Sequence, residues 1–258
     1  MNRNEGVLVM KIALQMYSVR DAYEKDYKAA LKRVKDLGFD CVELYGGYGI
    51  PVEDLKACID SLGIGIAGFH TSSDLIEFEP QEAIEYNKKL GNKYIIAPNM
   101  ASDERVLSSE GYEQSATSMN AANKAFLENG MRAGFHSHER EHTPFPDGRR
   151  GWDIFGELTD SDFILQLDTG NCLKAGDDPV EQLRKWSNKA YSIHYKPYSL
   201  EKGFDCVMGE DSIDWKSIYR ETKKCNVCEY IVIEYEILDD FYGVTKCLEF
   251  LKKLIAEN

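Results

Sequence analysis

Residues 11–45 read KIALQMYSVRDAYEKDYKAALKRVKDLGFDCVELY. An apolar run, Lys11–Met16, is followed by a stripe at helical spacing, formed by Tyr27, Ala30, Leu31, Val34 and Leu37, and then by a second apolar run, Phe39–Leu44. Short apolar runs bounded by turn residues suit strands buried on both faces, and the three-to-four spacing gives a helix with one buried face. Leu37-Gly38 closes that helix, because glycine takes the left-handed position after a helix end without strain. The unit is strand–helix–strand, the repeat from which parallel sheets are built.

The same unit recurs along the whole chain. Further apolar runs lie at Gly65–His70, Tyr94–Pro98, Ala133–His138, Phe163–Asp168, Ala190–Tyr195 and Tyr230–Tyr235. Leu62-Gly63 and Leu90-Gly91 repeat the helix ending, and Trp215, Ile218, Tyr219 and Thr222 form a later helical stripe. Strand starts fall about 25 to 40 residues apart, the length of a strand, a helix and two turns. Eight such units in 258 residues predict an α/β fold, a (β/α)8 TIM barrel. A doubly wound open sheet is the rival, but it usually needs fewer strands and a glycine-rich first turn. Here that turn is MYSVRDAYEKD, and no GxGxxG occurs. No Pro-, Ser- or Gly-rich linker divides the chain, so one domain over 1–258 is expected, with the barrel core at about 11–255.

The chain carries 44 acidic and 31 basic residues, a formal charge of −13. That excess argues against a nucleic-acid partner, since phosphate binding needs a cationic footprint. No run approaches the ~18 apolar residues of a membrane span, and the amphipathic C-terminal CLEFLKKLIAEN needs no membrane explanation. The N-terminal MNRNEGVLVMKIAL has one early Arg and a broken apolar stretch, so it does not read as a signal peptide. Seven scattered cysteines, an odd number, read as reduced thiols in a cytoplasmic protein rather than as a disulfide framework. Cys225 and Cys228 form a lone CxxC, read as buried small residues at a helix end rather than as a zinc or redox pair.

In a barrel, reactive groups gather at the C-terminal ends of the strands. Of the five histidines, His70 closes the third run, His136 and His138 the fifth, and His194 lies near the end of the seventh, while His142 follows in a loop. Asp168 ends the sixth run, Glu234 follows Tyr230–Ile233 in the eighth, and Glu43 follows Phe39–Val42 in the second. A carboxylate at the end of a buried strand is costly unless a metal or a partner compensates it. For one carboxylate a salt bridge is an equal reading. For Asp168, His194 and Glu234 on three consecutive strands, one divalent metal is the better one, and mixed His/carboxylate ligation suits Mn2+, Zn2+ or Co2+.

The stretches QMYSVRDAYEKDYKAALKRVKDLGFDCVELYGG, GFHSHEREH, LQLDTGNCLKAGDDPVEQL, SIHYKP, GEDSIDWKSIY and YIVIEYE resemble the sugar phosphate isomerase/epimerase family. This is the xylose isomerase-like TIM-barrel group, which also includes inosose dehydratases and endonuclease IV-type enzymes. The resemblance runs from about Lys11 to Leu254. It implies one divalent metal held by His136, Asp168, His194 and Glu234. It also implies a substrate-binding or second-metal role for His70, and substrate contacts from Asn171, where many relatives keep a histidine, and from Lys196, which matches the lysine of an HxKD motif. Pro197 stands where that motif has its aspartate, so no role resting on that residue carries over. On strand five the ketose 3-epimerases have a glutamate that shares proton shuttling with the one on strand eight. Here His136 aligns with it, in an HxH whose two side chains share a strand face. Either histidine could reach a metal, and alignment alone favours His136.

The chemistry implied is a divalent ion chelating adjacent oxygens of a sugar or polyol and stabilising an enediolate while a base moves the proton. Glu234, His138 and Glu43 are the candidate acid/base groups; for His138 and Glu43, orienting a neighbour is an equal reading. Tyr17 sits at the mouth, and Trp152 is a candidate for stacking on a sugar ring, with helix packing as its alternative. Arg149 and Arg150 read as solvated loop residues. The expected function is a metal-dependent isomerase or epimerase of a small carbohydrate or polyol, with a lyase on a keto-sugar or keto-inositol as the alternative. A sugar-binding barrel without catalysis comes third. An endonuclease-like hydrolase is least favoured, since the charge is wrong and Asn171 and Asn99 stand where metal-ligand histidines are wanted. The expected partner is a small-molecule sugar or polyol, with neither nucleic acid nor membrane, and a homo-oligomer is compatible with all of these readings.

Overall fold

The structure, a computed structural model, describes residues 10–102, 104–238 and 241–258. Most of the N-terminal stretch considered for a signal peptide lies outside the described residues. Eight parallel strands follow one another as β1 (Lys11–Gln15), β2 (Cys41–Tyr45), β3 (Gly65–His70), β4 (Tyr94–Ala97), β5 (Arg132–His136), β6 (Ile164–Gln166), β7 (Ser192–Tyr195) and β8 (Tyr230–Ile233). Their order in the sheet is β6-β5-β4-β3-β2-β1-β8-β7. The remaining seam, between β6 and β7, carries a single parallel bridge, Asp168 with His194. Backbone bonds from Leu165 N to Lys189 O (3.0 Å) and from His194 N to Leu167 O (2.9 Å) flank it. The sheet is therefore a nearly closed barrel with helices outside it. No described helix is long and apolar enough to cross a membrane.

The helix endings follow the sequence. Asp26 caps Tyr27–Leu37 by accepting from the N–H groups of Lys28 and Ala29, and Gly38 ends it at φ 93°. Gly63 and Gly91 end Val52–Leu62 and Pro80–Leu90 in the same way. Several strands stop one or two residues before the apolar runs do. Met16 opens a 3-10 turn, and His138 and Asp168 stand at the N-caps of the next helices, Glu139–His142 and Thr169–Lys174. Cys225 and Cys228 are buried free thiols just past the helix Trp215–Thr222, bonded to the Glu221 and Tyr230 carbonyls.

The large core lies between strands and helices, while the barrel interior is filled in layers. Tyr94, Tyr191 and Tyr230 meet edge to face at its lower end. Small apolar side chains, Ala13, Cys41, Ala67 and Val232, fill part of the middle, with Ile96 and Ile164 beside them. Above them, side-chain alternation turns inward a layer that is entirely polar: Gln15, Glu43, His136, Gln166, His194 and Glu234. The register between β2 and β3 shifts at Val42/Glu43, which brings Glu43 opposite Gly68. A Cβ at Gly68 would stand 2.8 Å from Glu43 Oε1, so the carboxylate occupies the space that glycine leaves.

Gly68→Ala is therefore expected to displace the Glu43 carboxylate and to cost about 1–3 kcal/mol, the usual effect of overpacking a buried site. Thermal unfolding of the variant beside the wild type checks this; an unchanged midpoint would show that the layer yields freely.

Candidate active site

The polar layer is organised around two residues. Glu43, fully buried, takes four donors: Gln15 Nε2 at 2.8 Å, His70 Nε2 at 3.0 Å and His194 Nε2 at 2.5 Å on Oε2, and Gln166 Nε2 at 2.7 Å on Oε1. Gln166 donates also to Ser192 Oγ (2.7 Å), and its Oε1 accepts from His136 Nδ1 (3.0 Å) and His70 Nε2 (2.8 Å). Because the amide nitrogen faces a carboxylate, the amide oxygen must face the histidines, which fixes the proton on Nδ1 of His136. Nε2 of His136 is left as an acceptor, 3.6 Å from Asp168 Oδ2. By the same logic Nε2–H of His194 belongs to Glu43, and Nδ1 of His194 faces Glu234 Oε2 at 2.6 Å.

His136, Asp168, His194 and Glu234 thus converge, one donor atom from each lying within 4.8 Å of the others. Asp168 divides its work. Oδ1 accepts from Asn171 N at 2.8 Å and caps the helix Thr169–Lys174, while buried Oδ2 has no hydrogen-bond partner. A fully buried carboxylate oxygen without a partner is costly and calls for a ligand. His136 Nε2 presents a lone pair, His194 Nδ1 would present one on giving up the proton it shares with Glu234, and with the two carboxylates they make a donor set that fits a borderline divalent ion. His70, His136 and His194 form a second close group. There His70 Nε2, His136 Nδ1 and His194 Nε2 are already engaged by Glu43 and Gln166.

The electrostatics reflect this crowding. Burial would raise the Glu43 carboxyl, but His70 and His194 outweigh it and hold it below the usual range. Burial would lower His194, yet Glu43 and Glu234 bring it up to about 10. Asp168 is pushed up to about 6 by burial, against the pull of Lys196. Lys196 Nζ lies 3.0 Å from Glu234 Oε1 and 2.7 Å from Glu236 Oε2, and these carboxylates with Asp168 outweigh its burial and keep it protonated. Burial pushes His136 down, and His138 down to about 4, so both imidazoles stay neutral.

Above this group opens a cavity of about 800 Å³. Tyr17, His70, His136, His138, Asn171, Lys196 and Glu234 all line it, as do Phe204 and Glu236. His138 Nδ1 and Asn171 Nδ2 are buried polar atoms without partners there. Two expectations are corrected. Trp152 does not line the cavity: it is 1% exposed, packed within the helix Gly151–Leu158 against His142, because its helix turns that face to the core. Glu43 is no acid or base for a substrate either: it lies beneath the cavity floor with both oxygens engaged.

The model of a family described as xylose isomerase-like TIM barrel matches residues 31–254. The chain belongs to the xylose isomerase-like TIM-barrel family. Inosose dehydratase of Clostridium perfringens is 22% identical over 250 residues, 83% of each chain. A solved structure of a sugar phosphate isomerase/epimerase from Parabacteroides distasonis superposes with a TM-score of 0.77 at 24% identity, covering 94% of this chain and 98% of that one. A xylose isomerase-like TIM-barrel protein from Mycobacterium smegmatis, solved in complex with magnesium, gives 0.72 at 14% identity, covering 96% and 97%.

Within this xylose isomerase-like barrel, Gln15 and Gln166 are the site residues that sequence reasoning missed. Gln166 stands two residues before Asp168 in an apolar strand, so strand alternation already put it on the inner face beside the candidate ligands. Gln166→Leu would leave Glu43 Oε1, Ser192 Oγ and the ring N–H of His136 short of a partner, at about 1–3 kcal/mol each and less than additively. Stability is expected to fall by at least about 3 kcal/mol, and divalent-metal affinity by about 10–100-fold, as when partners that orient metal ligands are lost. Denaturant unfolding and metal titration check this; a variant matching the wild type in both would remove Gln166 from its organising role.

Proposed function

We propose that the protein is a metal-dependent lyase that removes water from a small polyhydroxylated ketone, a keto-inositol or keto-sugar, with His136, Asp168, His194 and Glu234 holding one Mn2+, Zn2+ or Co2+. The observation that carries the elimination is the inequality of the groups facing the cavity. On the β7/β8 side stands a cation, Lys196, held between Glu234 and Glu236. On the β5 side stands His138, whose Nδ1 has no partner. Epimerisation needs two comparable groups that exchange the roles of base and acid, one on each face of the carbon. Elimination needs one base and one donor, roles that His138 and Lys196 can fill.

When bound, a divalent ion in this set supplies Lewis-acid polarisation of the carbonyl beside the C–H that ionises. His138 Nδ1 takes the proton from that carbon. Lys196 donates a hydrogen bond to the β-hydroxyl and supports its departure. The proton collected by His138 and the departing hydroxide together make the water released, so the product is the substrate less one water. His70 and Asn171 orient the remaining hydroxyls. Tyr17 and Phe204 offer apolar ring faces to its C–H surface. Glu43 and Gln166 act beneath, through the histidines they hold. The relationship to inosose dehydratases, though distant, supports the same branch.

An isomerase or epimerase is the second reading, favoured by Glu236, a carboxylate that lines the cavity from the strand end three away from His138's. Incubation of the Mn2+-loaded protein with inososes and ketoses in deuterated water separates the two. Elimination gives a conjugated carbonyl product with near-ultraviolet absorption; deuterium incorporation with an epimeric product and no such absorption would overturn the lyase.

The residue roles have their own test. His138→Ala is expected to keep its metal and lose about 100-fold or more in turnover, as when a general base is removed. Asp168→Asn and His136→Ala are expected to lose most of the metal affinity. Full occupancy of Asp168→Asn at low free metal would sink the ligand set, and metal loss in His138→Ala with retention in His136→Ala would exchange the two histidines.

A further inference from the structure

Behind the site, on the outer side of β5 and β6, three side chains from separate segments meet. His142 ends the short helix Glu139–His142, Cys172 lies in the helix Thr169–Lys174, and Asp177 follows that helix. One ligand atom from each lies within 4.8 Å of the others, and none of the three belongs to the cavity group. His142 and Cys172 are 1% and 0% exposed. From these we infer a second metal site, His142–Cys172–Asp177, for a thiolate-accepting borderline ion such as Zn2+.

The separation of His142 and Asp177 suits two donors to one ion. Nδ1 of His142 stands 3.3 Å from Asp177 Oδ2, beyond the usual range for N–H···O. Donors about 2.0–2.3 Å from one ion at tetrahedral angles stand about 3.3–3.8 Å apart. A sulfur, a nitrogen and an oxygen donor form the set that Zn2+ or Co2+ accepts, the cysteine giving its proton to solvent as the ion binds. Arg150 Nη1 lies 3.3 Å from the same Asp177 oxygen, and its side chain is 32% exposed, so it can turn to solvent when the ion enters. An ion here ties the segment after β5, which carries His138, to the helix that Asp168 caps and that carries Asn171. It would lock together two of the walls that shape the cavity.

Cobalt titration of the metal-free protein tests this, because the cavity group contains no thiol. Two equivalents are expected, the second bringing the near-ultraviolet charge-transfer absorption of a cobalt–thiolate bond. That absorption should persist in Asp168→Asn and vanish in Cys172→Ser and His142→Gln, which should each still bind one equivalent. The wild-type spectrum decides even if a variant folds poorly. Saturation at one equivalent without thiolate absorption would overturn the site and leave His142, Asp177 and Arg150 as an ion-pair network only. Loss of the first equivalent alone would count against the cavity ligands and leave this site standing.

Discussion

The structure turns on the hydrogen bond between the Gln166 amide and the Glu43 carboxylate. An all-polar layer across the middle of a barrel is an unfavourable arrangement unless it is closed, since each buried donor or acceptor left alone costs about 1–3 kcal/mol. Here the layer is closed by making every group serve two neighbours. The amide gives its hydrogens to Glu43 and Ser192 and its oxygen to His70 and His136, and the carboxylate gathers Gln15, His70 and His194 in turn. One consequence is chemical. His136 has Nδ1–H committed inward, so its Nε2 faces upward with a defined lone pair, and His194 has Nε2–H committed inward, so its Nδ1 is the nitrogen left toward Glu234. Orientation of the upper site is thus a by-product of satisfying the layer beneath.

Much of this was legible from residue order alone. Alternating periodicities gave the strands and helices, and the Leu-Gly endings recur as left-handed glycines at Gly38, Gly63 and Gly91. Clustering of His70, His136, His194, Asp168 and Glu234 followed from the rule that strand ends share one mouth. The features that escaped are those that depend on depth. A carboxylate at a strand end reads the same whether it faces the cavity, like Glu234, or lies under the floor, like Glu43. Trp152 reads the same at a mouth or in a core, because the apolar moment of a short helix does not say which neighbour it meets. Gln166 was concealed by its type, since a neutral amide in an apolar strand carries no charge to attract notice.

The contrast between the two sides of the cavity bears on how one fold serves several reactions. In the proposed reaction the first step is loss of a proton beside a carbonyl, and the fate of the resulting carbanion would depend on which groups stand around the carbon. If His136 stands in place of a carboxylate on β5, as the resemblance to ketose 3-epimerases implies, it changes both the charge of the proposed ligand set and the symmetry of the proposed proton transfer. Lys196, tied to Glu234 and Glu236, places a charged hydrogen-bond donor on one wall. The same scaffold with a carboxylate on β5 would present matched walls.

The seam between β6 and β7 gives this site a mechanical meaning. Elsewhere neighbouring strands are laced by runs of paired residues, but there the sheet is joined by the bridge between Asp168 and His194 and two flanking backbone bonds. The residues that meet across the gap are the ones whose side chains converge above it. Whatever draws those side chains together also fastens the barrel as a hoop, and whatever parts them slackens it. The amide of His194, bonded across the seam, is accordingly a local gauge of hoop tension: its hydrogen-exchange rate reports how often the barrel springs open at its least-stitched joint.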